Sequence, residues 1–345
     1  MSSIFEVIEN KGLDLEQTDY YAAILGESPS KGAKSPSLWN AAFKGLNLSG
    51  FMHPMDILPE KLEEVVKCLR QDNRFIGGAV TMPYKIDIIP YLDDLESEAE
   101  TIGAVNCIYR DKGKLIGSNT DGAGALWSLE KEIDGSLSGK TVLQIGTGGA
   151  GFAVASYLAS VMGVEGCLIL ANRSNESRDE IAGKLQGKCR VKSIDWPISS
   201  NQLDNVDIIV NCSSIGFETL KEDDEGTFSL KYYSPLGPVN NLPRVEKVKD
   251  AEKQYLRAAI DSINKNFGRS LRILAAADNP FVFDIIYQPT QTVLLFQAKL
   301  VGCKTLNGVP MNLEQAVIAF DKATVAAGLR SPNSNEIRDF MSKVR

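Results

Sequence analysis

Gly146, Gly148 and Gly151 are spaced as G-x-G-x-x-G between two apolar runs, Thr141–Ile145 and Phe152–Val161. Glycine at the first position permits a tight strand-to-helix turn. At the second it lets backbone approach a pyrophosphate, and at the third it lets the helix pack close on the strand. The helix N-terminus then offers unpaired N–H groups to phosphates. The competing reading, a glycine-rich turn without a ligand, is weakened by the clear strand before it and the clear helix after it. About 20 residues on, where an NAD site usually has Asp or Glu, the chain has Asn172-Arg173-Ser174. A planar guanidinium suits a phosphate, so the pattern favours NADP over NAD. A plain surface arginine is the alternative. Two further motifs place a charge just past a strand: Thr81-Met-Pro-Tyr-Lys85 and Asn119-Thr-Asp121-Gly. A lysine beside a carboxylate can hold or relay a proton during hydride transfer. Read singly, Lys85 is equally a solvated lysine, and Asp121 equally an Asx-turn residue before glycine.

Composition narrows the chemistry. The chain has 345 residues, 43% hydrophobic and 23% charged, enough for two domains with sizeable cores. Net charge is −7 with pI near 5.1, against the basic footprint of a nucleic-acid surface. No run of 18 apolar residues predicts a membrane span. The first 17 residues lack a cationic stretch followed by an apolar one, so they do not read as a secretory leader. Six cysteines without C-x-x-C spacing read as reduced thiols of a cytoplasmic protein. A single histidine, His53, cannot supply a His-rich metal site, and no metal is expected. It also makes a Ser/His/Asp or Cys/His machine improbable, which leaves acid/base work to residues such as Lys85 and Asp121.

These residues need an alternating α/β framework to position them. Tyr21–Leu25, Phe75–Val80, Val105–Tyr109 and Leu115–Gly117 read as strands of a first unit. Helices are expected from about Ser37 to Leu46, over Leu58–Leu69 and over Leu95–Ile102. A second unit starts near Leu137, with strands Thr141–Ile145, Cys167–Ala171 and Val206–Asn211. The stretch from about 217 to 278 reads as an insertion, loop-like and polar from Glu218 to Thr227. Its second half has Val245, Val248, Tyr255, Leu256, Ala259, Ile260 and Ile263 at helical steps, with Gly268 as the expected C-cap. Helices close the chain over Thr292–Leu300, Leu313–Ala327 and Ser334–Met341.

Taken in order, Lys34-Ser-Pro36, Thr81-x-Pro-x-Lys85, Gly103-Ala-Val-Asn106, Asn119-Thr-Asp-Gly122, Gly146-x-Gly-Gly-Ala150, Asn172-Arg173, Asn211-x-Ser213, Asp284-Ile-Ile-Tyr-x-Pro289 and Gly308-x-x-Met311 with Gln315 resemble the shikimate/quinate dehydrogenase family. The resemblance runs from about Tyr20 to Ala327, apart from the insertion. It implies two α/β domains: a substrate domain, 1–125 completed by 290–345, and a Rossmann domain, 126–289. It implies NADP-dependent oxidation of a ring hydroxyl of shikimate, in aromatic amino acid biosynthesis, or of a related ring such as quinate, an aminoshikimate or a carboxyl-free cyclitol. Lys85 and Asp121 match the family's catalytic pair. Ser35, Thr81, Asn106, Tyr287 and Gln315 match its substrate contacts. Gly146, Gly148, Gly149, Ala150, Gly151, Asn172, Arg173, Ser174, Ser213, Ile285 and Gly308 match the cofactor side. A monomer or homodimer is expected, with neither nucleic acid nor membrane as a partner.

Two departures bear on the substrate. The family has a serine where this chain has Ala33, and an asparagine where it has Ala79. The first serine and Ser35 would together hold a substrate carboxylate, so weak shikimate turnover is expected. A reading of another class is an NADP-binding regulatory protein without catalysis; retention of both Lys85 and Asp121 speaks against it.

Overall fold

In a computed structural model of the chain, residues 4–10, 13, 15, 18–133, 135–217, 221–222, 228–239 and 251–344 are described. Two compact units emerge: Met1–Gly124 with Asn312–Arg345, and Ala125–Met311. The first half of the chain runs α1 (Ile4–Val7), β1 (Tyr20–Gly26), α2 (Ser35–Gly45), β2 (Gly50–Asp56), α3 (Leu62–Gln71), β3 (Phe75–Val80), β4 (Asp94–Leu95), α4 (Ser97–Ile102), β5 (Cys107–Asp111), β6 (Lys114–Ser118) and α5 (Asp121–Glu132). It continues as β7 (Thr141–Ile145), α6 (Gly149–Met162), β8 (Cys167–Asn172), α7 (Asn175–Lys184), β9 (Arg190–Asp195), β10 (Ile208–Asn211), β11 (Lys221–Glu222), β12 (Phe228–Ser229), α8 (Ala251–Ala276), β13 (Phe281–Asp284), α9 (Val293–Leu300), β14 (Thr305–Leu306), α10 (Val309–Ala326) and α11 (Ser334–Met341).

The first unit is built on a mixed sheet of order β2-β1-β3-β5-β6-β4. Along β1, side chains alternate between two cores: Tyr21, Ala23 and Leu25 enter one, Ala22 and Ile24 the other. Both faces are therefore covered, which is why β1 reads as a continuous apolar run. Trp39, Ala42 and Phe43 of α2 fill the second core together with Val317 and Phe320 of α10 and Ile337 and Met341 of α11. The Trp39 and Phe320 rings meet edge-on at 5.1 Å. The C-terminal helices thus complete the core that carries β1 and β3. Strand β2 escaped the sequence analysis because it contains Pro54, which cannot donate to a ladder. It is tolerated because β2 is an edge, paired among the described residues only with β1, in the register Ile24 to Pro54.

The second unit is a parallel sheet of order β9-β8-β7-β10-β13-β14. In chain order this is 3-2-1-4-5-6, the dinucleotide-binding arrangement, with a switch point between β7 and β10. The polar helix α7 and the edge strand β9 lacked an apolar signature; α7 buries only Arg178 and Ile181. The stretch read as an insertion contains a necessary element. Strands β10 and β13 pair parallel, and a parallel pair needs a crossover; α8 lies within it. Two local expectations are corrected. Where a polar loop was expected, β11 and β12 pair antiparallel, Lys221 to Ser229. Gly268 is not a C-cap but lies inside α8, which runs on to Ala276. A mid-helix glycine costs roughly 1 kcal/mol, offset by burial of Ile273 and Leu274 in the turns beyond it. Val245 and Val248 lie outside the described residues.

Candidate active site

Strand β3 hands the chain to Thr81–Lys85, and β6 hands it to Asn119–Asp121 at the start of α5. The Lys85 carbonyl accepts from the Val105 N–H at 2.7 Å, and the Val80 N–H donates to the Asn106 carbonyl at 2.8 Å. These bonds join two sequence-distant segments, and the Asn106 N–H ties in the third by donating to the Ser118 carbonyl at 3.1 Å. Lys85 Nζ then lies 2.6 Å from Asp121 Oδ2. The Lys85 side chain is 25% exposed and that of Asp121 11%, so the pair is largely withdrawn from water yet reachable.

Asp121 is held from its other side as well. Asn106, which is buried, donates through Nδ2 to Asp121 Oδ1 at 2.7 Å and lies 3.4 Å from Gln315 Oε1. The Thr120 N–H donates to Asn106 Oδ1 at 2.8 Å, and Thr120 Oγ1 donates to the Gln315 carbonyl at 3.1 Å. The Asp121 N–H is taken by Asn119 Oδ1 at 3.1 Å, closing an Asx turn. Both carboxylate oxygens are thus spoken for. The ammonium, with three donors, keeps others for a ligand. Lys85, Asp121, Asn106 and Gln315 come together in this network. Thr120 and Asn119 belong to it too; the motif contained them, but their side-chain roles were visible only once β5, β6 and α10 were assembled.

Ser35 opens α2 with Pro36 in its first turn and is buried. Thr81 leans on β1: a Cβ added at Gly26 would lie 2.4 Å from its methyl group. Among the described residues, no hydrogen bond ties either side chain to Lys85. Ala33 packs against the apolar core, and Ala79 is buried in it.

In the second unit, the G-x-G-x-x-G turn sits at the switch point. Gly146 has φ +98°, and a Cβ there would meet the Ser213 backbone nitrogen at 2.7 Å. A Cβ at Gly151 would lie 2.4 Å from the Gly146 carbonyl oxygen. Both glycines are demanded by the fold. Gly148 is different: a Cβ there meets nothing within 4 Å. Its open side, with Gly149 and Ala150 starting α6 behind it, is a cradle that a side chain would fill, and it fits a pyrophosphate. Thr147 Oγ1 and Ser177 Oγ, 2.9 Å apart, brace the turn against α7.

Arg173 is exposed past the end of β8, beside the partly buried Asn172. Ser174 is the N-cap of α7, accepting from the Ser177 N–H at 3.2 Å. Arg178, by contrast, is committed to Asp179, Asp195 and the Ile194 carbonyl. Ser213 Oγ donates to Asn211 Oδ1 at 2.7 Å. Asn211 Nδ2 reaches Asp284 Oδ1 at 3.0 Å, and Thr292 Oγ1 donates to Asp284 Oδ2 at 2.7 Å. Burial pushes the Asp284 carboxyl up to about 7, against the pull of Thr292, the Ile286 N–H and Asn211. Ile285 and Gly308 cross closely; a Cβ at Gly308 would stand 1.8 Å from the Ile285 carbonyl oxygen. Tyr287 is half-buried in the connection after β13, and burial raises its phenol. No cluster of metal-ligating side chains occurs among the described residues.

Residues 25–108 match the shikimate dehydrogenase substrate binding domain. The chain is 35% identical over 300 residues to the NADP(+) shikimate dehydrogenase of Carboxydothermus hydrogenoformans, covering 86% of this chain and 89% of that one. A crystal structure of a shikimate dehydrogenase in complex with NADP+ superposes with TM-score 0.66 at 30% identity, covering 94% of this chain and 96% of the other. The ligand-free 5-ketofructose reductase of Gluconobacter superposes with TM-score 0.65 at 25% identity, covering 95% and 99%.

Proposed function

The chain belongs to the shikimate/quinate dehydrogenase family, and from that premise we propose that it is an NADP-dependent dehydrogenase acting on shikimate or a closely related cyclic polyol. The observation that carries the reading is the Lys85–Asp121 ion pair at 2.6 Å with Asn106 on the far carboxylate oxygen. When bound, the nicotinamide cofactor would supply the hydride acceptor for oxidation of the ring carbon, and the hydride donor in the reverse direction. Lys85 takes the proton of the reacting hydroxyl as it becomes a carbonyl, and gives it back on reduction. Asp121 orients the Lys85 amine, and Asn106 and the Asn119 turn orient Asp121. Ser35, Thr81, Tyr287 and Gln315 are assigned to the substrate. The open cradle at Gly148 and the α6 N-terminus take the pyrophosphate, with Ser213, Ile285 and Gly308 as neighbouring contacts. Arg173 supports NADP over NAD because a guanidinium pairs with a 2′-phosphate in a planar fork. The cysteines described are free, which supports a cytoplasmic setting, and no described helix is long and apolar enough to cross a membrane.

A second reading keeps the chemistry and changes the ring. Ala33 and Ala79 put apolar surface into the core cluster where the family resemblance calls for polar side chains. The likeness to a 5-ketofructose reductase points the same way. The deciding experiment follows reduced cofactor by absorbance with NADP+ or NAD+ and shikimate, quinate or carboxyl-free cyclitols as substrates. Shikimate kcat/KM of about 10⁴ M⁻¹s⁻¹ or higher establishes shikimate as the substrate. Faster turnover of a carboxyl-free ring favours the second reading. Absence of turnover on every ring with either cofactor removes the dehydrogenase assignment.

A further inference from the structure

The segment Leu230–Val239 follows β12 and lies far in sequence from the glycine turn, yet it is held over the ligand-binding edge of the second sheet. The Gly216 N–H donates to the Lys231 carbonyl at 2.6 Å. Trp196 Nε1 donates to the Pro235 carbonyl at 2.8 Å, and the Tyr232 hydroxyl reaches the Gln291 carbonyl at 3.4 Å. Gly216 follows β10, Trp196 follows β9 and Gln291 follows β13. Every strand of this sheet runs parallel, so all three connections leave by its carboxyl edge, where ligands bind in such sheets.

Helix α8 clamps the segment from behind. Asn266 is buried; its Oδ1 accepts from the Ser234 N–H at 3.0 Å, and its Nδ2 donates to the carbonyls of Ser234 at 2.9 Å and Gly237 at 2.8 Å. Tyr233, between these anchors, is half-buried. Arg173, past the end of β8, is near enough for its charge to act on the Tyr233 phenol. The segment is therefore anchored on the same carboxyl edge that carries Arg173 past the second strand, where the ribose of a dinucleotide is read.

We propose that Tyr233 is a further cofactor-binding residue, which together with Arg173 takes the adenosine 2′-phosphate. This rests on the NADP reading above. Burial raises the Tyr233 phenol, so it remains a neutral O–H donor near pH 7, and a hydrogen bond to a phosphate oxygen is of the strong, charge-assisted kind. Helix α8 and the segment Leu230–Val239 then have a specific role: they deliver a side chain to the cofactor edge.

Calorimetric titration of the full chain with NADP, NAD, 2′,5′-ADP and 5′-AMP tests this, using wild type, Tyr233→Phe and Arg173→Ala, each checked for an unchanged melting temperature. Tyr233→Phe should weaken NADP and 2′,5′-ADP about 10-fold or more and leave NAD and 5′-AMP nearly unchanged. Equal loss on phosphorylated and unphosphorylated ligands, or no loss on any, overturns the proposal. Arg173→Ala separates the two levels. If it abolishes the preference for 2′-phosphate while Tyr233→Phe does nothing, Tyr233 alone is wrong. If wild type shows no such preference, the NADP reading fails and takes the proposal with it.

Discussion

Lys85 has one carboxylate partner at 2.6 Å, and that partner is locked by Asn106. In the proposed mechanism the lysine transfers a proton and does not bind cofactor; it belongs to the first unit and the glycine turn to the second. Lys85→Ala should therefore lower kcat by about 10²-fold or more, the usual scale of general acid–base help, with little change in NADP affinity. Steady-state kinetics beside a cofactor titration check both halves; near-normal kcat would remove Lys85 from the mechanism. Ala33 stands against the apolar core beside α2. If a hydroxyl there restores a bond to a substrate carboxylate, Ala33→Ser should raise shikimate kcat/KM about 10-fold or more. Unchanged kinetics would mean that position 33 does not face the ring. Lys85, Asp121 and Arg173 were all legible as residues. The roles of Asn119 and Thr120 were not, since an amide or hydroxyl in a turn looks the same whether or not it braces the network behind a carboxylate.

Helix α6 and the loops at the sheet edge decide what each glycine does. Gly308 supports the crossing of two backbone segments, and its Cβ would meet a carbonyl oxygen at 1.8 Å. Backbone cannot swing aside as a side chain does, so Gly308→Ala should destabilise the protein by about 1–3 kcal/mol, the range of overpacked sites. Gly148 is the opposite case. Its φ of −72° suits any residue, and open space surrounds it, so Gly148→Ala should cost at most about 1 kcal/mol, through a poorer N-cap. The same methyl group would stand in the phosphate cradle and should weaken NADP strongly. Thermal unfolding and cofactor titration of the two variants should show the contrast; tight NADP binding by Gly148→Ala would remove the cradle. The motif already gave the three glycines different roles, and the assembled turn supplies the contacts behind them: close backbone at Gly146 and Gly151, open space at Gly148.

Stability of the whole molecule should carry a pH signature from Asp284. Its carboxyl sits near 7 in the folded state and near about 3.9 in an unfolded chain. The folded state binds this proton more tightly, so the contribution to stability is fully present below about pH 4 and is lost as pH rises to about 7. Asp284→Asn cannot titrate. Its melting temperature relative to wild type should therefore rise between pH 5 and pH 8. A difference that stays flat across that interval would mean that Asp284 is ionised throughout. Asp284 stood within a recognised motif, but its burial and its bonds to Asn211 and Thr292 depend on β10, β13 and α9 being brought together.

Elements whose signals are local can be read directly from the residues. The apolar runs of β1, β3, β7 and β8 are dictated by burial on both faces, the glycine turn by steric demand at Gly146 and Gly151, and the family by many short motifs in order. The other features depend on assembly of the fold, because their causes lie in distant residues. Pro54 belongs to a strand because β2 is an edge. Gly268 stays helical because Ile273 and Leu274 beyond it are buried. The stretch from 217 to 278 contains a crossover because β10 and β13 pair parallel, a relation between strands about 70 residues apart in the chain. Tyr233 reaches the cofactor edge for the same reason: hydrogen bonds to Gly216, Trp196, Gln291 and Asn266 hold its segment there, and no periodicity within the segment encodes that contact.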